Sequence, residues 1–231
     1  MTPRDRLIVA LDVPDAAAAR AMVDRLAGEV GMFKVGSQVF TAAGPDFVRE
    51  LIARGEKVFL DLKFHDIPNT VAGAVNAAAG LGVTLVDVHA LGGKDMMEAA
   101  VGALPAMGIR LLAITVLTSH NEQTLASLGV GGSVADSVRR LAALAKEAGA
   151  DGVVASPNEV ALVREVCGPD FLIVTPGIRS AGAARGDQAR TASPAAARAA
   201  GADYIVVGRP ILEAADPAAA AAAIVRELST A

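Results

Sequence analysis

Several things are scarce in this sequence, and each scarcity removes a class of protein. There is one cysteine, Cys167, which excludes an intramolecular disulfide and any zinc cluster built on cysteine thiolates. There is no excess of base: 21 Lys and Arg stand against 25 Asp and Glu, a net charge of −4. The broad positive surface that a nucleic acid or an anionic membrane requires of a partner is therefore not expected. There is no long apolar run either. A mean hydropathy of +0.45 raises the question of a membrane protein, but every window of about 18 residues is interrupted. The best of them, VGALPAMGIRLLAITVLT, carries Pro105 and Arg110. The N-terminal segment MTPRDRLIVALD meets Asp12 before an apolar core of signal length is complete. No His and Glu spacing matches a zinc site, G-x-S-x-G does not occur, and LDVPDAAAA stands where a dinucleotide-binding sheet would carry G-x-G-x-x-G after its first strand.

What is present is apolar and small. Hydrophobic residues make up 53% of the chain, and 50 residues are alanine. That composition supports a large core and a globular protein, and with a single cysteine a reducing, cytoplasmic compartment is expected. Short runs rich in β-branched residues alternate with Ala-rich stretches of helical spacing. The runs lie at 7–11 (LIVAL), 32–35 (MFKV), 58–62 (VFLDL), 84–88 (TLVDV), 111–116 (LLAITV), 152–155 (GVVA), 172–175 (LIVT) and 204–207 (YIVV). Continuous apolar runs of this length fit strands buried on both faces, as in parallel sheets. Helices are expected between them at 15–26, 45–54, 68–81, 94–106, 134–148, 157–166, 194–200 and 217–228. Proline stands at or near the first turn of several, and Gly149 and Gly201 follow two of the ends, each before Ala-Asp and a strand. Eight such units in 231 residues predict a single α/β domain, residues 1–231, folded as a (β/α)8 TIM barrel. An open doubly wound sheet is the competing architecture.

In such barrels chemistry is placed at the C-terminal ends of the strands, so the polar residues there are the candidate site. The third segment, DLKFHDIPNT, is the most unusual. Side chains alternate along a strand, so Asp61 and Lys63 are expected on one side, with Lys34 of the neighbouring strand and Asp66 of the following loop in reach. An alternating array of two ammonium and two carboxylate groups offsets the burial of each and can shift their pKa values; a solvated salt-bridge cluster is the plainer reading. A second constellation lies in TPGIRSAGAARGDQAR and VVGRPI. The loops after strands seven and eight are the usual phosphate site of these barrels, where glycines such as Gly177 and Gly208 allow close backbone approach and Arg209 can grip an anion with two N–H groups. Arg179 and Gln188 lie in a long loop of the kind that often serves as a lid. Asp12 either binds sugar hydroxyls or caps the following helix. Asp87 and His89 are expected to pack and hydrogen-bond inside the barrel, and His120 to lie in a loop.

The segments LIVALDV, FKVG, DLKFHDIPNT, TVLTS, TPGIR, GDQ-x-R and VVGRPI, in this order and almost end to end, resemble the orotidine 5′-phosphate decarboxylase family. The resemblance implies a cofactor-free, metal-free conversion of orotidine 5′-monophosphate to UMP. By its implication Lys63 protonates C6, Asp61 lies against the substrate carboxylate, and Lys34 completes the charge chain and touches the ribose. Asp12 would bind ribose hydroxyls, and Thr118 or Ser119 the pyrimidine, with Ile67 and Pro176 also at the substrate. Arg179, Gln188, Gly208 and Arg209 would hold the phosphate. It further implies a homodimer in which Asp66 and Thr70 enter the partner's site, with no nucleic-acid or membrane partner. D-x-K-x-x-D alone is shared with metal-dependent sugar-phosphate decarboxylases and synthases. Those carry an acidic metal ligand on the second strand, at the position of Lys34. The same residues could also serve a Schiff-base aldolase acting through Lys63, or a non-catalytic nucleotide-binding protein.

Overall fold

A computed structural model of the chain describes residues 1–106, 108–179 and 191–230. Eight parallel strands follow one another around a closed barrel in chain order. They are β1 (Leu7–Ala10), β2 (Met32–Gly36), β3 (Val58–Phe64), β4 (Leu85–His89), β5 (Arg110–Ile114), β6 (Gly152–Val154), β7 (Leu172–Thr175) and β8 (Tyr204–Val207). Pairing of Leu7 with Ile205 closes the ring between β1 and β8. This is the (β/α)8 barrel expected from the apolar runs.

Strand alternation sorts the apolar residues into two cores. Ile8, Met32, Phe59, Leu85, Leu112, Leu172, Val174 and Val206 fill the barrel interior. Their outward neighbours, such as Leu7, Val9, Phe33, Val58, Leu60 and Val86, pack against the surrounding helices. A strand that feeds both cores has no polar face, which is why these runs read as continuous rather than alternating.

The helices are α1 (Ala16–Leu26), α2 (Ser37–Ala53), α3 (Pro68–Ala79), α4 (Lys94–Gly102), α5 (Glu122–Ser127), α6 (Val134–Glu147), α7 (Val160–Cys167), α8 (Pro194–Ala199), α9 (Arg209–Leu212) and α10 (Pro217–Ser229). Local chemistry starts many of them. Asp15 accepts the Ala18 N–H at the head of α1, Ser133 and Asp136 form a reciprocal capping box on α6, and Pro68, Pro194 and Pro217 occupy first turns.

Three departures from the sequence reading have physical causes. The helix expected from Pro45 is the second half of α2, which begins at Ser37 and breaks at Gly44 (φ 68°, ψ −172°). Proline bars helical geometry from the residue before it, and glycine takes the extended left-handed conformation without cost to a Cβ. The short helices α5 and α9 have too few turns to show an apolar period. Asn121 nonetheless caps α5 by accepting the Thr124 N–H at 2.9 Å. Finally, β5 ends at Ile114 and β3 runs on to Phe64; the second difference shapes the site.

At the N-terminal floor the two Gly-Ala-Asp segments do the same work. Gly149 and Gly201 turn the chain with φ of 84° and 106°. Each following aspartate then accepts a strand amide: Asp151 takes Leu111 N–H at 2.8 Å, and Asp203 takes Ile173 N–H at 2.9 Å. Arg164 of α7 joins the second motif. Its guanidinium donates to the carbonyls of Gly168, Pro169, Phe171 and Gly201 and to the Asp203 carboxylate, all within 2.9 Å.

Candidate active site

The site begins with an irregularity in β3. Leu60 stands opposite Val86 of β4, but Phe64 stands opposite Val88. Four steps on β3 therefore match two on β4, and the excess is taken up by a bulge over residues 61–63. Lys63 sits in it with φ of 51°, the one non-glycine residue of positive φ among the described residues. For an L-residue this backbone costs roughly 1–2 kcal/mol. The Lys63 N–H has left the ladder and is received by Asp87 Oδ1 at 2.8 Å. The side chain turns to form an ion pair with Asp61. The proximity of Asp61 and Lys63 expected from plain alternation is thus reached through a bulge held by β4.

The array continues through Asp61. Lys34 Nζ lies 2.9 Å from Asp61 Oδ2 and 3.2 Å from Asp12 Oδ1. Charges alternate from Asp12 through Lys34 and Asp61 to Lys63. Gly36 makes room for this: a Cβ there would stand 2.9 Å from Lys34 Nζ and 3.3 Å from Asp12 Oδ1. Burial raises the Asp61 carboxyl, but Lys34, a hydrogen bond with Asp87 and the charge of Lys63 outweigh it and hold Asp61 well below the usual carboxylate range. Burial lowers the Lys34 ammonium, and Asp61 and Asp12 more than restore it. Asp87 goes the other way: complete burial, then the Asp61 charge, push its carboxyl well above the usual range. His89, next along β4, is pushed down to about 4 by burial and then by His65, Lys63 and His120.

Above this array opens a cavity of about 570 Å³, a size suited to a small-molecule ligand. Phe59, Ile114, Val154 and Val206 give it an apolar base, and Thr118 and Pro176 a partly polar side. Gly177, Arg179, Gly208 and Arg209 bring the β7 and β8 loop ends into it. The base of the long loop is pinned, since Arg179 N–H donates to Ala192 O at 3.0 Å. The array at one side and two guanidinium groups at another suit a ligand with a reactive anionic centre and a separate phosphate.

Of the residues singled out in the sequence, Asp12, Lys34, Asp61, Lys63, Thr118, Pro176, Arg179, Gly208 and Arg209 line this cavity. Ser119 lies on the turn beside Thr118. Gln188 lies outside the described residues. Asp66 does not join the array within one chain, which corrects the expectation of a shared mouth. After Phe64 the chain leaves the sheet, and residues 65–70 are all exposed, Thr70 among them. Asp66 and Ile67 line a separate shallow groove with His65, Pro68, Leu91 and Gly92. Within the chain, Asp12 is the second carboxylate on Lys34. Its pairing was missed in sequence, as was Glu213 on the cavity wall. Asp87 was legible as a buried hydrogen-bonding group, because Leu85 two residues earlier faces the barrel interior; its contact with Lys63 was not, since it exists only through the bulge.

Known proteins bear on this geometry. The profile of the orotidine 5′-phosphate decarboxylase / HUMPS family matches residues 5–224. The orotidine 5′-phosphate decarboxylase of Moorella thermoacetica is 54% identical over 99% of this chain and 94% of its own. That of Halorhodospira halophila is 58% identical over 98% and 97%. Among solved structures, an orotidine 5′-phosphate decarboxylase from Lactobacillus acidophilus superposes with a TM-score of 0.85 at 42% identity, covering 96% of this chain and 98% of that one. An uncharacterized conserved protein from Geobacillus kaustophilus gives 0.84 at 41%, covering 96% and 99%. Likeness of this extent, running through every strand that bears a charge of the array, makes the chain a member of the orotidine 5′-phosphate decarboxylase / HUMPS family.

Proposed function

We propose that this protein decarboxylates orotidine 5′-monophosphate to UMP and carbon dioxide, the closing step of de novo pyrimidine nucleotide synthesis, as a carboxy-lyase without cofactor. One observation carries the choice within the family. The Lys34 ammonium occupies the space between Asp12 and Asp61, at 3.2 and 2.9 Å, where a metal-dependent relative would need acid and a divalent cation. A fixed cation there repels a second one. The names of the relatives at 52% to 58% identity support the same reading.

In this reading Arg179 and Arg209, with the Gly208 backbone and Gln188, hold the phosphate. Asp12 and Lys34 take the ribose hydroxyls, and Thr118 and Pro176 take the pyrimidine, with Ser119 beside them. The substrate carboxylate then lies against Asp61, and C6 beside Lys63 Nζ. The bond from C6 to the carboxyl carbon breaks, carbon dioxide leaves, and the electron pair stays on C6. The Lys63 ammonium, fixed by Asp61 before the reaction, stabilises that charge as it develops and then gives C6 its proton; solvent water returns one to the amine. Phosphate contacts remote from C6 supply binding energy for closing and assembling the site.

The exposed Asp66, Ile67 and Thr70 are proposed to enter the site of a second copy in a homodimer. The exposure of Ile67 (67%) and Leu91 (49%) beside them favours such an apolar contact. Among the described residues no helix is long and apolar enough to cross a membrane, and a cytoplasmic enzyme is proposed. The test is the loss of orotidine 5′-monophosphate absorbance on adding purified protein, with and without EDTA. Equal turnover in both is expected. Activity abolished by chelation and restored by Mg²⁺ would assign the chain to the metal-dependent branch, and no turnover would reject the decarboxylase reading.

A further inference from the structure

Asp87 stands apart from the other carboxylates at the mouth, because the strongest charge acting on it is that of another acid, Asp61, ahead of the opposing Lys63 ammonium. It is completely buried on β4. Oδ1 accepts the Lys63 N–H at 2.8 Å. Oδ2 is buried and meets no hydrogen-bond partner among the described residues, and the largest charge effect on the carboxyl comes from the neighbouring Asp61 carboxylate. Two ionised carboxylates so placed repel in a buried site. A proton on one of them removes that repulsion and makes it a donor to the other in a strong, charge-assisted hydrogen bond.

The partners decide which carboxyl holds the proton. Asp61 faces two ammonium groups, Lys34 and Lys63, in direct ion pairs. Asp87 receives a backbone amide, and Lys63 turns its charged end to Asp61 instead. The proton therefore belongs to Asp87, in agreement with the upward push on its carboxyl described above.

We propose that Asp87 is a neutral carboxylic acid in the working enzyme and a positioning residue for decarboxylation: its Oδ2–H donates to the Asp61 carboxylate while its Oδ1 holds the Lys63 amide. One side chain on β4 thus clamps both ends of the β3 bulge. Lys63 is kept in its left-handed backbone, and Asp61 is kept in one orientation between the two lysines. The charge count gives the arrangement a second consequence. With Asp87 neutral, Asp12 and Asp61 balance Lys34 and Lys63. An ionised Asp87 would add a buried negative charge behind Asp61, against which a substrate carboxylate has to sit. The catalytic half of this inference rests on the proposed decarboxylase function; the protonation of Asp87 does not.

The test compares wild type, Asp87→Asn and Asp87→Leu. Asparagine reproduces the neutral acid, since its oxygen accepts from Lys63 and its amide donates to Asp61. Leucine fills the space and does neither. Loss of kcat in the leucine variant by about 30-fold or more, with KM within about 3-fold, is the mark of lost positioning rather than lost binding. Asparagine is expected to recover most of that loss. An infrared difference spectrum, wild type minus Asp87→Asn at neutral pH, is expected to show the carbonyl band of a protonated carboxyl group. An asparagine variant as impaired as the leucine one, or a difference spectrum with only ionised-carboxylate bands, would overturn the proposal. If the leucine variant does not fold, the wild-type and asparagine pair still decides through the infrared band. If the wild type does not turn over orotidine 5′-monophosphate, the functional reading fails, and the same band still tests the protonation.

Discussion

The two ends of the barrel use charge in opposite ways. At the floor each carboxylate has ordinary partners close at hand. Asp151 and Asp203 receive strand amides, and Arg164 ties Asp203 to four carbonyls of the turns before β7 and β8. At the mouth, lysines and aspartates are packed on one another over a bulge whose central residue has an unfavourable backbone. Floor charges satisfy donors and acceptors that folding would otherwise strand, so they add stability. Mouth charges are held where chemistry needs them, and the fold bears the cost. The contrast teaches that polar density says little about role. Whether the charged groups meet mainly backbone, as at the floor, or mainly one another, as at the mouth, says more.

The sharpest way to break the contrast is at Lys63. Lys63→Gly removes the proposed acid and is expected to lower kcat by about 10⁴-fold or more. The same substitution relieves the left-handed backbone, so the melting temperature should hold or rise by a few degrees, about 2–4 °C per kcal/mol recovered. Loss of activity together with a fall in melting temperature would mean that the mouth stabilises the fold as the floor does. Arg164→Ala should do the reverse. Leaving three part-buried carbonyls and the Asp203 carboxylate without their donor is expected to cost about 3 kcal/mol, seen in urea or thermal unfolding, while kcat/KM at a permissive temperature stays within about twofold.

Two smaller effects sharpen the comparison within the mouth. Gly36→Ala puts a Cβ 2.9 Å from Lys34 Nζ, too close to leave the ion pairs in place, and should lower kcat/KM by about tenfold with little change in folding. The last effect, the smallest when read per pH unit, separates the two buried carboxyls by pH. Asp61 is held below its unfolded value, so the stability it contributes is present above about pH 4 and is lost as pH falls below that. Asp87 is raised, so above about pH 4 the unfolded chain releases a proton that the folded one keeps, and wild-type stability declines as pH rises toward the folded value. The melting temperature of Asp87→Asn relative to wild type should therefore climb between pH 4 and pH 7, by at most about 1.4 kcal/mol of stability per pH unit. A flat difference would show that Asp87 ionises in the folded protein as it does in the unfolded one.

Legibility followed the range of the interactions. The eight apolar runs and the proline and aspartate starts of α1, α3, α8 and α10 are local, and they stand in the structure close to where the sequence places them. Lys34, Asp61 and Lys63 were legible too, because each lies at the upper end of a run and so at one end of the barrel. Short α5 and α9 escaped because one or two turns show no period. The turning away of Asp66 escaped because nothing local distinguishes a loop that continues over the mouth from one that leaves it.

By itself the sequence determined the architecture, the end of the barrel at which charge gathers, and the family whose motifs it carries. Eight buried strands with interleaved helices leave few ways to close a single core, and motif order survives without coordinates. Only the tertiary structure decided how the charges meet. A bulge exists only as a mismatch between two strands, Leu60 to Phe64 on β3 against Val86 to Val88 on β4. The pairing of Lys34 with Asp12 and the hold of Asp87 on Lys63 join residues 22 and 24 positions apart in the chain. Such contacts depend on register and burial, and neither is a property of any segment alone.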